Sequence, residues 1–433
     1  MNIKTYRIAV STVLCLLFAV IFNITTASEQ TKSSRHMKVA FVTFLSGAAA
    51  VPFGIPARNA AQVIVEAINA GSVPEPYSSP GLAGVKVEAV FIDENSKNKI
   101  EDYRNLVRKK DIDLVIGYIS SSSCKAIAPV AEQEKTLTVL FDCGTPEIFE
   151  DIVLKPDYVF RTASHATMDN VAAAKYVLQT NKNVSSIAGI NQNYAWGQGS
   201  WRDFSASMKI LNDSVSVSIE QFPKLFSGQY GEEISTLLTH KPAVVHSSFW
   251  GSDVEALVIQ GGIQGVFSTS QLVLTAGDTA IHRLGPQIPD GTIIGARGSN
   301  GQLAPRSELN DWFRTIYFQR FGSFPTYPAY HMAQAILGVK AASDKKGSSN
   351  PNALRAGLTG LQFASPNGRV SMSLSDGHQA VTNTAYGSYH YDKKTGKGKL
   401  INIKRYQAAC VNPPIGVKSI DWIKSGFKGA ECR

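Results

Sequence analysis

An alternation constrains this chain more than any other feature. Short apolar runs rich in β-branched and aromatic residues take turns with stretches of helical spacing. Lys38–Leu45 (KVAFVTFL) reads as a buried strand, because a strand covered on both faces needs no polar alternation. In Ala57–Ala70, Ala60, Val63, Ile64, Ala67 and Ile68 share one helical stripe, and Gly71 is placed to end it. The spacing then predicts a strand over Val85–Asp93, a helix over Lys97–Lys110, a strand over Leu114–Tyr118, a helix over Cys124–Glu134 and a strand over Thr136–Phe141. A second round opens with a helix at Thr167–Gln179 and a strand at Ser186–Ile190, and runs to a strand at Gln271–Leu274. Such alternation builds parallel strands with helices on both faces. The expected fold class is α/β, as two doubly wound, mostly parallel lobes. Beyond Gly291 the pattern loosens: Glu308–Phe321 and Pro328–Ala342 predict helices, and from about Phe363 the chain is rich in strands and turns. Lys393–Lys399 (KKTGKGK) reads as an exposed hairpin tip.

The first segment reads as an address. Lys4 and Arg7 precede the apolar run Ile8–Ile24, and Thr25-Thr26-Ala27 offers a small-residue cleavage site, which is the pattern of a cleavable signal peptide over 1–27. The run falls short of the roughly 20 residues that span a bilayer. A lipoprotein is not expected, because Leu14 precedes Cys15 where a small residue is needed. Residues 28–36 form a polar tail. The mature chain keeps Cys124, Cys143, Cys410 and Cys432, an even number that favours two disulfides in an exported protein. Proximity suggests Cys124–Cys143 and Cys410–Cys432 among the three connectivities that four cysteines allow.

With 43 Lys and Arg against 34 Asp and Glu, the formal charge is +9, and losing Lys4 and Arg7 leaves +7. Apart from Arg108-Lys109-Lys110 and the 393–399 tip these charges are dispersed, so nucleic-acid binding is not expected. The chain has no GxSxG elbow, no Walker loop and no HExxH, and its histidines form no helical pair, so neither an enzyme, a metal site nor a cofactor is expected. Gly197-Gln198-Gly199 lacks the third glycine of a dinucleotide fingerprint and reads as a turn opening a helix.

In open α/β sheets ligands bind beyond the carboxyl ends of the strands. Phe53 stands in the loop after the first strand, and Tyr118 ends the third. Ser120–Ser123 follow at a strand-to-helix turn, where hydroxyls and free helix N–H groups can hold an anion. Cys143, Gly144 and Thr145 form the next strand exit, and a Cys124–Cys143 bridge would tie the two loops together. Tyr194, Trp196 and Trp250 leave strands of the second round beside glycines, as a ligand wall would. Asp278 is either the partner of a ligand cation or a helix N-cap.

In order and spacing, VAFVTFLSG, FGIPARNAAQVIVEAINA, the Ser-rich turn, PEIFED with VFRT, MDNVAAAKYV and NYAWGQG resemble the solute-binding proteins of ABC transporters, in the leucine/isoleucine/valine-binding class with the type I periplasmic-binding fold. The resemblance runs from about Lys38 to about Gly387. It implies two lobes joined by a three-segment hinge, with crossings near Arg161–Ser164, Gly291–Gly298 and Gln362–Val370. Lobe one is then 37–162 and 298–362, and lobe two 163–297 and 363–433. It also implies a periplasmic, monomeric receptor that hands a small carboxylated solute, an amino acid or an aromatic or apolar acid, to a permease in the inner membrane. Ser121, Ser122 or Ser123, with Cys143, Gly144 and Thr145, would hold the carboxylate, and Phe53, Tyr194 and Trp250 would cover the rest. The acid that holds an α-ammonium in this family falls near Gly277, one residue from Asp278. A sensory receptor on the same fold and an exported hydrolase are the alternative readings.

Overall fold

The computed structural model describes residues 36–109 and 111–432. The expected signal peptide lies outside the described residues, as does the tail up to residue 35. No helix among the described residues is long and apolar enough to cross a membrane.

The first round of alternation gives strands β1 (Met37–Thr43), β2 (Val87–Asp93), β3 (Leu114–Gly117), β4 (Thr138–Leu140) and β5 (Val159–Arg161). The second gives β6 (Ser186–Ile190), β7 (Ser216–Gln221), β8 (Val244–Ser247), β9 (Gln271–Leu274) and β10 (Ile293–Gly295). Within each set all neighbours are parallel, in the orders β2-β1-β3-β4-β5 and β7-β6-β8-β9-β10. The two rounds therefore fold to the same plan. Each has a switch point, at β1/β3 and at β6/β8, where loops diverge and leave a crevice. β1 is apolar nearly throughout because helices cover both of its faces: Phe41 joins the cluster with Ile64 and Ile68, and Val42 the cluster with Tyr103 and Ile127.

The helix Ile55–Ala70 ends as its sequence predicts. Gly71 takes φ +66°, and its N–H reaches back to Ala67 and Ile68. Gly197 and Gly199 do not form a turn before a helix; both lie inside the helix Ala195–Leu211.

Five more strands complete the sheets. β11 (Gln362–Ser365), β12 (Gly368–Leu374) and β13 (Gln379–Val381) extend the first sheet beyond β5, whereas β14 (Thr384–Asp392) and β15 (Lys397–Tyr406) extend the second beyond β10. This corrects the expected lobe boundary. The chain makes its third crossing at Thr382-Asn383, not within 362–370, so residues 363–381 belong with lobe one. The cause is pairing: β13 lies beside β5, with Gln379 opposite Arg161. Both expected disulfides form, Cys124–Cys143 and Cys410–Cys432.

Candidate functional site

The exits of β1, β6 and β8 meet where the two lobes face each other. Phe53, from the loop after β1, is fully buried. Its ring stands edge-on to Trp250 at 5.3 Å and to Tyr327 at 5.4 Å. Trp250, from the exit of β8 in the opposite lobe, also meets Phe44 at 5.9 Å, Tyr194 at 6.5 Å and Phe226 at 5.2 Å. Four rings from both lobes therefore converge on one indole, in the tilted and edge-on arrangements that aromatic quadrupoles prefer. The Trp250 indole N–H is buried beside the Tyr194 hydroxyl.

Beside this cluster sits the serine turn. Ser120 precedes the helix Ser121–Glu134, and its own hydroxyl does not cap it. The buried Glu94 carboxylate instead accepts the N–H groups of Ile119 at 2.7 Å and Ser120 at 2.9 Å. Burial pushes Glu94 up to about 7, against the lowering effect of these bonds. Ser121 is buried, and its hydroxyl accepts the N–H of Thr145 at 3.2 Å, which joins the two expected anion loops. The Cys124–Cys143 bridge ties them a second time. Ser123 is buried, with its hydroxyl against the Glu94 carboxylate, whereas Ser122 is exposed. Tyr118 leaves the proposed set. Its ring packs in the core with Tyr103, Leu106 and Ile127, behind the sheet, because two helices there offer apolar cover.

The loop Asp142–Thr145 is held by two arginines that the sequence reading did not single out. Arg161 of β5 is fully buried and donates to the carbonyls of Cys143 at 2.9 Å and Thr145 at 2.5 Å, and to Gln379 at 2.5 Å. Burial, and then the charge of Arg297, lower its pKa to about 9. Arg297 lies in the second crossing, at φ +46°, a left-handed conformation costly for a side chain of this size. It is ion-paired with Asp142, donates to the Ser164 carbonyl at 2.9 Å and has Asp169 at 3.6 Å. Its guanidinium lies 4.6 Å from the Trp196 ring and 5.9 Å from Tyr327. His331 completes the group, with Nδ1 2.9 Å from Asp142. Burial also raises Asp169, to about 7. The sequence did carry one signal for Arg297: a lone arginine between glycines at a strand exit.

Trp196 lies in the first turn of its helix, and its Nε1 donates to the Ser248 carbonyl at 2.8 Å. Its ring lies directly over Gly144 of the opposite lobe, where a Cβ would come within 2.3 Å of two ring carbons. Glycine is required here by close approach, and the lobes are closed on each other at this point. Asp278 is buried and accepts the N–H of Tyr327 at 3.0 Å. Tyr327 is the first residue of the helix Tyr327–Lys346, so a carboxylate from lobe two satisfies an orphan N–H at a helix N-terminus in lobe one. Of the two expectations for Asp278, the structure places it as a cap, on a helix of the other lobe.

The model of a periplasmic binding protein family matches residues 36–394. The chain belongs to that family. Among curated relatives of this periplasmic binding protein is the leucine-specific-binding protein of Salmonella typhimurium, 26% identical over 215 residues, covering 48% of this chain and 55% of the relative. The chain thus spans about half the length of the curated relatives it matches. A solute-binding protein of an ABC transporter from R. palustris, solved with benzoate, superposes with a TM-score of 0.73 at 18% identity, covering 89% of this chain and 100% of that one. A second R. palustris protein, solved with 4-hydroxybenzoate, gives 0.73 at 19%, with 86% and 98% covered. A branched-chain amino acid transporter substrate-binding protein from Streptococcus pneumoniae, solved with isoleucine, gives 0.71 at 16%, with 86% and 100% covered. At these identities the structural likenesses establish the type I periplasmic binding fold of this family member, and its fold class is as the alternation predicts.

Proposed function

We propose that the chain is the periplasmic receptor of an ABC importer. It closes over a small carboxylated solute of aromatic or apolar kind and presents the closed form to an inner-membrane permease. A cleavable leader delivers it to the periplasm, and it acts as a monomer without chemistry of its own. The observation that carries this reading is the convergence of Phe44, Phe53, Tyr194 and Phe226 on Trp250 from both lobes, beside the tied serine turn. Rings cover an apolar body. Ser121, Ser123, Gly144 and Thr145 supply hydroxyls and backbone close to a helix N-terminus for a carboxylate.

The chemistry of the wall supports an acid over an α-amino acid. Asp278 is spent on Tyr327, and the Asp253 carboxylate already accepts from Gln192 at 2.7 Å and from the N–H of Phe226 at 2.8 Å. A buried ammonium without a carboxylate would be costly.

A thermal-shift screen with benzoate, 4-hydroxybenzoate, leucine, isoleucine and small amides tests this. At about a hundred times its Kd, the true solute stabilises by about 2.7 kcal/mol. An aromatic or apolar acid should give the largest shift, Trp250→Ala should remove it, and the solute should be recovered unchanged. A shift given only by amino acids, or one that survives both Trp250→Ala and Thr145→Ala, overturns the reading. Loss of uptake on deletion of the gene tests the importer role.

A further inference from the structure

The hairpin tip Lys393–Lys399 has no part in the site above, yet it builds one wall of a separate cavity of about 740 Å³. Lys397 and Lys399 stand on that wall. His282 faces them from the same lobe, and Arg314, Phe318 and Phe324 from the other. The tip is fastened in place. Gln302 donates to the Gly398 carbonyl at 3.4 Å and accepts the Leu400 N–H at 3.0 Å, while Arg405 donates to the Leu303 carbonyl at 3.2 Å. The wall is therefore set before any ligand arrives.

The lining has two chemistries. Phe318 and Phe324 stack at 4.8 Å and are 44% and 41% exposed, an apolar surface left open to solvent. The Arg314 guanidinium sits 4.5 Å over Phe324, so charge and ring adjoin. No Asp or Glu lines the cavity among the described residues. Two carboxylates reach its cations from outside the lining: Asp278 from behind Gly301, and Asp392, 4.0 Å from Lys399. Three permanent cations, Arg314, Lys397 and Lys399, against these two acids leave a positive surplus. A phosphate monoester carries about 1.5 to 2 negative charges near neutral pH and matches that surplus, and arginine and lysine together suit its oxygens.

We propose that this cleft is a second binding site, for a phosphate ester whose organic part is apolar. The phosphate lies among Arg314, Lys397 and Lys399, and the organic part lies on the Phe318–Phe324 stack. Because the walls come from both lobes, an occupant bridges them. A free phosphomonoester and the headgroup of an anionic phospholipid share this chemistry.

Isothermal titration of the full chain with phenyl phosphate tests the site. One saturable equivalent is expected, weakened about tenfold or more by Arg314→Gln and by Lys397→Gln/Lys399→Gln, since each charge-assisted bond is worth that much. Inorganic phosphate should bind clearly more weakly. Lys393→Gln/Lys394→Gln removes the same charge from the same tip but outside the lining, and should leave binding within about twofold, as expected for exposed charges screened by salt. Flotation with phosphatidylglycerol but not phosphatidylcholine vesicles, lost in Lys397→Gln/Lys399→Gln, would identify a lipid source; phenyl phosphate binding without flotation would identify a soluble one. No saturable binding in either arm overturns the proposal, as does equal weakening by the two double variants or equal affinity for inorganic and phenyl phosphate.

Discussion

Gly144→Ala is the sharpest perturbation the interface offers. Gly144 is not among the glycines at positive φ, so alanine suits its backbone, and the only obstacle is the opposite lobe. The new Cβ would lie 2.3 Å from two carbons of the Trp196 ring and 2.9 Å from the Nη2 of Arg297. Reaching an ordinary carbon–carbon separation of about 3.5 Å requires about 1 Å of movement. The ring cannot easily give way, since Ser248 holds its Nε1 at 2.8 Å and Arg297 stacks on it at 4.6 Å. Either the interface absorbs the overpacking, at about 1–3 kcal/mol, or the lobes stay further apart.

The clash lies between the two lobes, so the cost falls on closure more than on folding. A penalty of 1–3 kcal/mol on the closed state weakens apparent solute affinity by about 5- to 150-fold, because only that state grips the solute. Titration with the solute found in the screen measures the loss, and small-angle scattering with solute present should show a larger radius of gyration. Gly144→Ala/Trp196→Leu, which removes the obstructing ring, should restore the compact radius. An affinity within about twofold of the parent, with an unchanged radius, would refute the claim that Gly144 is required by closure.

Glu94, with its pKa raised from 4.5 to about 7 by burial, keeps a proton in the folded chain that the unfolded chain releases, so stability should fall as pH rises between those values. The effect is on the order of 3 kcal/mol, and Glu94→Gln should flatten the pH dependence of chemical denaturation across that window. Reducing the Cys124–Cys143 bridge, which closes a 19-residue separation, should cost about 3 kcal/mol and lower Tm; an unchanged Tm in Cys124→Ser/Cys143→Ser would contradict it. Asp278→Ala leaves a buried helix N–H unpaired and should cost about 1–3 kcal/mol, with Asn largely restoring it and solute affinity little changed. A large loss of affinity with no loss of Tm would return Asp278 to the role of ammonium partner. Arg297→Met strands the buried Asp142 and Asp169 and should destabilise by about 3–5 kcal/mol, part of which a second substitution, Asp142→Asn, should recover.

What was legible in the sequence and what was not divide along a physical line. Strands, helices and their stops depend on neighbours a few residues away, so β1, the helix Ile55–Ala70 and its Gly71 cap could be read directly. The strand exits could be read too, because an α/β order places them at one end of the sheet. The third crossing could not. β11 alternates buried and exposed residues as a strand of either sheet would, and its allegiance rests on Arg161 meeting Gln379, 218 residues away. Tyr118 and Trp250 are both aromatics at strand exits; only the direction of the side chain sends one into the core behind the sheet and the other to the interface. Arg297 is the extreme case. Its partners Asp142 and Ser164 lie 155 and 133 residues upstream, and the glycines around it mark a strand exit without showing that the guanidinium is buried in a left-handed turn. The charged residues at the interface are thus defined by partners that folding alone supplies. Asp278 shows why this matters for specificity: whether a carboxylate there can hold an ammonium is decided by a helix that begins 49 residues later and claims it first.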